Sequence, residues 1–390
     1  MSQSVSMQPL TEEYNAFAPL LVVGLPGVPG YNAFFYLRKL FPGRVVGLVP
    51  PNALELMAYA DSPLSKLVVA DPEKPEELAR LFSEFEFKTV VDASGWCALK
   101  PCELDPALGR RLNVDVGLNV LRAAKAAGAR LIRLSTDLVF DGRPYFRDGR
   151  LRLGNYREDC PVSPVSMYGK LMAESERRTL EEYPCAAILR IALPMGPSLR
   201  GYAGAIDWIE SRFRKGRPAT LYFDEVRSNL YVQDLNQVMR HFVSNGAKGI
   251  YHVGGPLNLS LFQIAQVVNK LGNYPEALLM GCLRAAAGPM PPRAGDVTMH
   301  TGKLLALLRK NAPGAPVASV SIRPWPFDPA HVPTDPDWHR RREGDFPARA
   351  IARELFGVGG TEAWDHPQTL LIPSLGVVHI PVALAEIPES

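Results

Sequence analysis

The first structural unit of the chain is the stretch PLLVVGLPGVPGYNAFFYLRKLF, which occupies positions 19–41. Its four apolar residues at 20–23 predict a short buried strand, and the amphipathic segment after the last glycine predicts a helix. Between the two lies a GxxGxxG turn made of Gly24, Gly27 and Gly30. Glycine lets the backbone turn tightly and approach a pyrophosphate, whose charge the following helix N-terminus stabilises. Glycines in a tight turn can also be purely structural, but the strand–turn–helix context favours a dinucleotide-binding site.

Strands and helices alternate over the first half of the chain. The predicted strands are continuous apolar runs rather than period-2 patterns, which is typical of a parallel sheet covered on both faces. We therefore predict a Rossmann-type, doubly wound α/β fold. Further strands are predicted at 44–49, 65–71, 88–95, 130–136 and 186–192, and helices at 72–85, 105–128 and 164–182.

The chain divides into three predicted regions. An NAD(P)-binding Rossmann domain is predicted over 18–196. The rhythm then changes to shorter elements, which predicts a smaller substrate-binding lobe over 197–310, with room for some segments to return to the Rossmann sheet. Residues 311–390 begin with a proline-rich run and predict an extended arm of unknown role, followed by a short helix at 348–355.

Composition and charge exclude several classes of function. The 390 residues include 43 basic and 40 acidic side chains, and the net charge of +3 is too small for this size to imply nucleic-acid binding. No apolar run approaches the ~18–20 residues needed to span a bilayer. Residues 1–17 lack the apolar core of a signal peptide. We therefore predict a cytoplasmic protein that binds neither nucleic acid nor membrane.

The cysteines and histidines show no metal-binding pattern. The five cysteines are scattered without a CxxC pair, and the seven histidines have no HExxH or similar spacing. Free thiols in a cytoplasmic protein are the favoured interpretation, and no metal is predicted. The cysteines are Cys97, Cys102, Cys160, Cys185 and Cys282.

The end of the second strand does not identify the cofactor. A dinucleotide fold usually places an acid there for the ribose 2′-hydroxyl, or a basic residue for a 2′-phosphate. Here the chain reads Leu48-Val49-Pro50-Pro51-Asn52, with neither. Asn52 is suited to hydrogen-bond a ribose hydroxyl, and it is equally suited to a turn. NAD and NADP both remain open.

Three motifs carry a family resemblance. They are STDLVFDG at 135–142, EDCPVSPVSMYGKLMAESE at 158–176 and DEVRSNLYVQDL at 224–235. They resemble the extended short-chain dehydrogenase/reductases, and within them the dTDP-4-dehydrorhamnose reductase branch, which also includes the methionine adenosyltransferase β subunit. The branch's Ser-Thr-Asp-Tyr-Val-Phe-Asp-Gly is matched at seven of eight positions. The resemblance covers roughly residues 19–310.

The resemblance implies a set of functional residues. Thr136 would polarise a substrate carbonyl, with Ser135 beside it as a possible substitute, and Tyr168 would exchange a proton with the same oxygen. The implied cofactor contacts, besides the glycines and Asn52, are Asp71, Ala93, Ser94, Gly95, Asn113 and Pro194. The implied substrate contacts are Asp137, Arg227 and Arg293.

The family's lysine, four residues after the tyrosine, is replaced here by Met172. That lysine holds the nicotinamide ribose and lowers the tyrosine pKa. Lys170 cannot substitute, because an i+2 side chain sits about 200° around a helix whereas i+4 sits about 40° away. Bringing a free tyrosine from a pKa near 10 to about 7 is worth roughly 4 kcal/mol. A reductase uses the protonated phenol, so reduction is the chemistry least affected by losing the lysine.

Two functions fit these residues. The first is an NAD(P)H-dependent reductase of a keto-sugar nucleotide or related carbonyl compound, with Tyr168 as proton donor and Thr136 polarising the carbonyl. The alternative is a catalytically degenerate NAD(P)-binding subunit that regulates or scaffolds a partner, resembling the methionine adenosyltransferase β subunit. The implied cofactor is NADP or NAD, the implied small-molecule substrate is a nucleotide sugar, and a homodimer is the expected assembly.

Overall fold

The computed structural model describes residues 16–200, 204–309 and 322, together with the backbone of two strands at 369–372 and 376–379. The predicted proline-rich run and the helix at 348–355 lie outside the described residues, apart from residue 322. No described helix is long and apolar enough to cross a membrane.

The elements alternate as the sequence predicts. The strands are β1 (Leu20–Val23), β2 (Val45–Val49), β3 (Lys66–Val69), β4 (Thr89–Asp92), β5 (Arg130–Thr136), β6 (Tyr145–Arg147), β7 (Arg150–Arg152), β8 (Ala187–Ile191), β9 (Pro194–Met195), β10 (Ala219–Tyr222), β11 (Val226–Tyr231), β12 (Gly249–Val253), β13 (Leu257–Ser260), β14 (Leu279–Cys282), β15 (Thr369–Ile372) and β16 (Gly376–His379). The helices are α1 (Val28–Leu40), α2 (Pro75–Phe85), α3 (Leu99–Leu104), α4 (Pro106–Arg110), α5 (Val116–Ala126), α6 (Met167–Glu182), α7 (Ala205–Arg214), α8 (Val232–Ser244), α9 (Leu261–Leu271) and α10 (Gly302–Arg309).

A seven-stranded parallel sheet forms the centre of the molecule, in the order β12-β8-β5-β4-β1-β2-β3. Strand order reverses between β1 and β4, so the crevice above their carboxyl ends is where such folds bind ligands. Apolar clusters cover both faces of the sheet. The predicted doubly wound α/β fold is confirmed.

Two predicted helices differ from the structure for local reasons. The helix predicted from 164 begins at Met167, because the Ser166 hydroxyl accepts a hydrogen bond from the Gly169 amide at 3.1 Å and caps it. The helix predicted over 105–128 is α4 and α5 joined by a π-helical turn at Arg111–Asp115. Such turns often occur at functional sites, and periodicity does not reveal them.

The chain after residue 196 contributes to two cores. β10, β11, β13, β14, α7 and α9 surround a separate apolar cluster that includes Ile206, Phe213 and Ile264. β12 instead extends the large sheet beside β8, and α8 packs against α1. Segments of the predicted lobe at 197–310 therefore belong to the central domain.

Candidate active site

The glycine turn after β1 is held tightly against the end of β4. Gly24 has φ +84°, and a Cβ there would lie 2.2 Å from the Ala93 carbonyl oxygen. A Cβ at Gly30 would lie 2.2 Å from the Gly24 carbonyl oxygen. Side chains are therefore excluded at both positions, and the backbone of the turn stays accessible at the crevice.

The start of α1 has the features of an anion site. Gly27 is the N-cap and supplies no side-chain hydrogen bond, and within the described first turn there is no acidic residue. The Val28 and Gly30 amides lie in the first turn and are suited to a phosphate, which the helix dipole attracts, whereas Pro29 has no N–H. Nearby, the buried Ser94 hydroxyl has no hydrogen-bond partner among the described residues. The open helix end, the glycine turn and this hydroxyl fit a dinucleotide.

Asn113 fixes the loop after β4. It lies in the π-helical turn, and its side-chain oxygen accepts a hydrogen bond from the Trp96 amide at 2.7 Å. Gly95 has φ +142°, and a Cβ there would lie 3.3 Å from that same oxygen. The structure therefore brings Ala93, Ser94, Gly95 and Asn113 together beside Gly24. The role of Asn113 in this arrangement is to position the loop.

A buried ion pair at the end of β4 also holds the loop after β4. Asp92 and Arg133 pair at 0% and 2% side-chain exposure. The other carboxylate oxygen of Asp92 accepts a hydrogen bond from the Ser94 amide at 2.9 Å. Arg133 also donates to the Ser175 hydroxyl at 2.8 Å, which connects the loop to α6.

The first turn of α6 sets the position of Tyr168. A Cβ at Gly169 would lie 2.2 Å from the Leu138 carbonyl oxygen, so glycine lets the helix pack directly on the turn after β5. The Met167 amide donates to Glu103 at 2.6 Å. Tyr168 is thereby buried at 7% exposure, close enough to Asp137 for the carboxylate to act on its pKa.

The Tyr168 phenol is protonated at neutral pH. Burial raises its pKa well above 10, and the Cys97 thiol and Asp137 carboxylate raise it further, while Arg227 opposes them. A neutral phenol can donate a proton but cannot act as a base. A protonated phenol at this position would suit proton donation rather than the proton abstraction that an oxidation-first cycle requires.

Cys97 belongs to this site although the sequence predicts only a free thiol. Its thiol lies close enough to Tyr168 and Arg227 to act on their pKa values, and Asp137 lies close enough to act on the pKa of the thiol. The residue itself is exposed. The available signal in the sequence was its position two residues after the small-residue turn at 92–95, whereas metal-ligand spacing does not single it out.

Thr136 and Asp137 end β5 at the crevice. The Thr136 hydroxyl accepts a hydrogen bond from the Leu138 amide and lies 3.2 Å from an Asp137 carboxylate oxygen. Arg227, on β11, forms a two-bond pair with Asp137, with Nε donating to Oδ2 at 2.6 Å. The structure thus joins Thr136 and Asp137 to Arg227, which lies 90 residues away in sequence, and both Asp137 and Arg227 lie close enough to act on the pKa of Tyr168.

The Asp137–Arg227 pair is almost free of solvent, at 0% and 7% side-chain exposure. Burial lowers the pKa of the Arg227 guanidinium, but the carboxylates of Asp137 and Glu225 outweigh it and raise the pKa above its usual value. Glu225 also pairs with the predicted substrate residue Arg293 at 2.8 Å. Arg293 is therefore linked to the site through a shared carboxylate.

Ser135 has a different environment from Thr136. Its hydroxyl donates to Glu176 at 2.5 Å, and Glu176 pairs with Arg190 in the same buried cluster. His252 completes the cluster: its Nε2 accepts from Arg190 at 3.3 Å, and its Nδ1 donates to the Tyr156 carbonyl at 3.0 Å. Ser135 thus helps to tie β5, β8, β12 and α6 together.

This cluster predicts acid sensitivity of the fold. Burial and Arg190 lower the pKa of His252 to about 3, because a second ring proton would face the guanidinium. An unfolded histidine titrates near 6.5, so the stability gained from neutral His252 is complete above that pH. As the pH falls from about 6.5 toward 3, this stability decreases by about 1.4 kcal/mol per pH unit. We expect urea denaturation to give a lower free energy of unfolding at pH 5.5 than at pH 7.5.

The matched control is His252→Gln, which cannot gain a proton. Its loss of stability between pH 7.5 and 5.5 should be smaller than that of the natural protein by about 1.4 kcal/mol. An unchanged pH dependence in this variant would contradict the role given to His252.

Three other predicted residues are placed by local structure. Asp71 forms a turn before α2, because its carboxylate accepts a hydrogen bond from the Glu73 amide at 3.0 Å. Asn52 is exposed in the turn after β2. Pro194 lies in β9, where it pairs with Leu230 of β11. None of these contacts by itself identifies a cofactor-binding role.

The lysine position is occupied by an apolar side chain. Met172 is 3% exposed and belongs to the main apolar cluster. Lys170 is exposed on the outside of α6, whereas Tyr168 is buried. No lysine therefore reaches Tyr168 from either position.

The glycine turn, the α6 tyrosine and the seven-stranded sheet define the class as the extended short-chain dehydrogenase/reductases. The family model described as "RmlD substrate binding domain" matches residues 48–313. The chain belongs to this family.

Comparison with curated relatives gives two kinds of protein. A methionine adenosyltransferase 2 subunit beta from Danio rerio is 26% identical over 224 residues, which cover 55% of this chain and 66% of that protein. A dTDP-4-dehydrorhamnose reductase from Streptomyces griseus is 38% identical over 95 residues, 24% of this chain and 29% of that protein. The chain spans 52–66% of the length of the first methionine adenosyltransferase relatives.

Solved structures share the fold. A dTDP-4-dehydrorhamnose reductase from Bacillus anthracis, in complex with NADP, has a TM-score of 0.56 at 18% identity and covers 73% of this chain and 90% of its own. A dTDP-glucose 4,6-dehydratase from Streptomyces venezuelae, with NAD bound, has a TM-score of 0.62 at 20% identity. The match covers 84% of this chain and 98% of that chain. Identities this low establish the fold alone.

Proposed function

We propose that this protein is a cytoplasmic NAD(P)H-dependent reductase of a keto-sugar nucleotide or related carbonyl compound. The observation that carries the proposal is the buried, protonated Tyr168 near Asp137 and Arg227, with the Thr136 hydroxyl hydrogen-bonded to the same Asp137 carboxylate. A relative named as a dTDP-4-dehydrorhamnose reductase, 38% identical over 95 residues, supports the substrate class.

In this proposal each residue has one task. When bound, NADH or NADPH would supply the hydride for the carbonyl carbon. The glycine turn and Ser94 hold its pyrophosphate side, and Thr136 polarises the carbonyl oxygen. Tyr168 then donates its proton to that oxygen. Because burial keeps the phenol protonated, this direction needs no lysine to lower the tyrosine pKa.

The test is a titration followed by an assay. NADH and NADPH are titrated against the purified chain by nicotinamide fluorescence, and turnover is then measured with dTDP-4-keto-sugars and simpler ketones. We expect saturable binding and oxidation of the cofactor only when a carbonyl substrate is present. Tight cofactor binding without turnover of any carbonyl compound would rule out the reductase.

A second candidate is a cofactor-binding regulatory subunit. Met172 at the lysine position favours it, as does the similarity to methionine adenosyltransferase 2 subunit beta. Met172→Lys separates the two candidates. If the natural protein is a working reductase, lysine at this buried position should reduce turnover, whereas a gain of turnover would identify the natural chain as catalytically degenerate.

A further inference from the structure

Arg200 lies at the turn after β2. The turn's own sequence, Leu48 to Asn52, contains no charged residue. Its guanidinium donates to the Asn52 carbonyl oxygen and to the Glu55 carboxylate. Arg200 is 148 residues from Asn52 along the chain, so only the fold brings them together. The turn after β2 is the place where dinucleotide folds distinguish the ribose 2′-hydroxyl from a 2′-phosphate.

The segment before Arg200 passes over the phosphate-binding end of α1. The Asn32 side chain, in the second turn of the helix, donates to the Pro197 carbonyl at 2.8 Å. Beyond Arg200, a Cβ on Gly204 would lie 2.9 Å from the Val28 side chain in the first turn. Pro197 and Gly204, on either side of Arg200, thus both lie against the first two turns of α1, the helix end suited to a pyrophosphate.

We propose that Arg200 binds the 2′-phosphate of NADP(H) and gives the protein a preference for NADP(H) over NAD(H). The inference rests on the proposed cofactor site but not on turnover. Arginine suits this role because its planar fork of N–H donors matches a phosphate with two parallel hydrogen bonds. The carbonyl of Asn52 uses one donor and orients the guanidinium at the turn.

Glu55 is the anion that holds Arg200 in place. The hydrogen bond from Arg200 lowers the pKa of the Glu55 carboxyl, which is therefore ionised at neutral pH. The two side chains are 39% and 45% exposed, so water screens the pair and separating it costs little. A dianionic phosphate can then replace the carboxylate, and Glu55 competes with it.

Two variants test the proposal by binding alone. Arg200→Ala should lower the affinity for NADPH and for adenosine 2′,5′-bisphosphate by about 10- to 100-fold. It should leave the affinities for NADH and AMP within about twofold of the natural values. Glu55→Gln should raise the affinity for NADPH and leave the affinity for NADH unchanged. Arg80→Ala, which removes an exposed arginine from α2, is the matched control for net charge and should change neither. Affinities are measured by calorimetry for the adenosine nucleotides and by fluorescence for the dinucleotides.

Several outcomes would overturn the assignment. An equal loss of NADH and NADPH affinity in Arg200→Ala would place the guanidinium on the pyrophosphate. A selective loss of NADH affinity in Glu55→Gln would make Glu55 the acceptor for a ribose hydroxyl. Absence of binding by all four ligands would overturn this inference and the cofactor site together. A selective loss of NADPH binding in Arg200→Ala supports the inference even where no carbonyl compound is turned over, and that result removes only the reductase.

Discussion

Replacing Tyr168 with phenylalanine is expected to lower kcat for carbonyl reduction by about 10²- to 10⁴-fold, the usual contribution of a positioned proton donor. The ring would still fill its buried position, so the fold and the cofactor affinity should change little. Turnover is measured by the decrease in cofactor absorbance at saturating substrate, and cofactor affinity by fluorescence titration of the same samples.

The control for this variant is Tyr183→Phe. Tyr183 follows the same helix, and its hydroxyl donates to the Ala129 carbonyl at 3.0 Å, away from the crevice. It should lose a structural hydrogen bond without changing kcat. If Tyr168→Phe retains natural turnover, another group is the proton donor, and Cys97 is the first to examine.

Replacing Arg227 with methionine is expected to lower the free energy of unfolding by about 3–5 kcal/mol. The substitution leaves Asp137 buried at 0% exposure without its two-bond partner, and it removes a cation from Glu225. A buried charge that loses its partner keeps its desolvation penalty. Denaturation by urea at pH 7.5 gives the difference from the natural protein.

Arg284→Met is the matched control for Arg227→Met. Arg284 pairs with Asp224 at 3.0 Å in the same lobe, but the two side chains are 28% and 20% exposed. Solvent screens that pair, so its loss should cost at most about 1 kcal/mol. Equal losses of unfolding free energy in the two variants would show that the burial of the Asp137–Arg227 pair does not set the cost of breaking it.

Much of the fold was predictable because its causes are local in sequence. Short apolar runs such as 20–23 and 45–49 predict buried strands of a covered sheet, and the glycines after β1 mark a turn that no side chain can enter. The positions of Tyr168, Thr136 and Asp137 followed from motifs of a known family. The predicted homodimer and the domain limits stay predictions.

The exact elements between these motifs were less predictable. The π-helical turn that carries Asn113 was predicted as ordinary helix, because it is one short turn between two α-helical segments. The start of α6 was predicted early, since the capping hydroxyl of Ser166 decides it rather than the apolar pattern.

The sequence by itself determined the sheet, the phosphate turn, the family and the absence of the lysine at Met172. Only the tertiary structure decided what surrounds those features. In the folded structure Cys97 lies near Tyr168, Arg227 pairs with Asp137, and Arg200 contacts the turn after β2. The physical reason is range: burial and helix capping act between near neighbours in sequence, whereas pKa values and ion pairs depend on charges that meet only once the chain has folded.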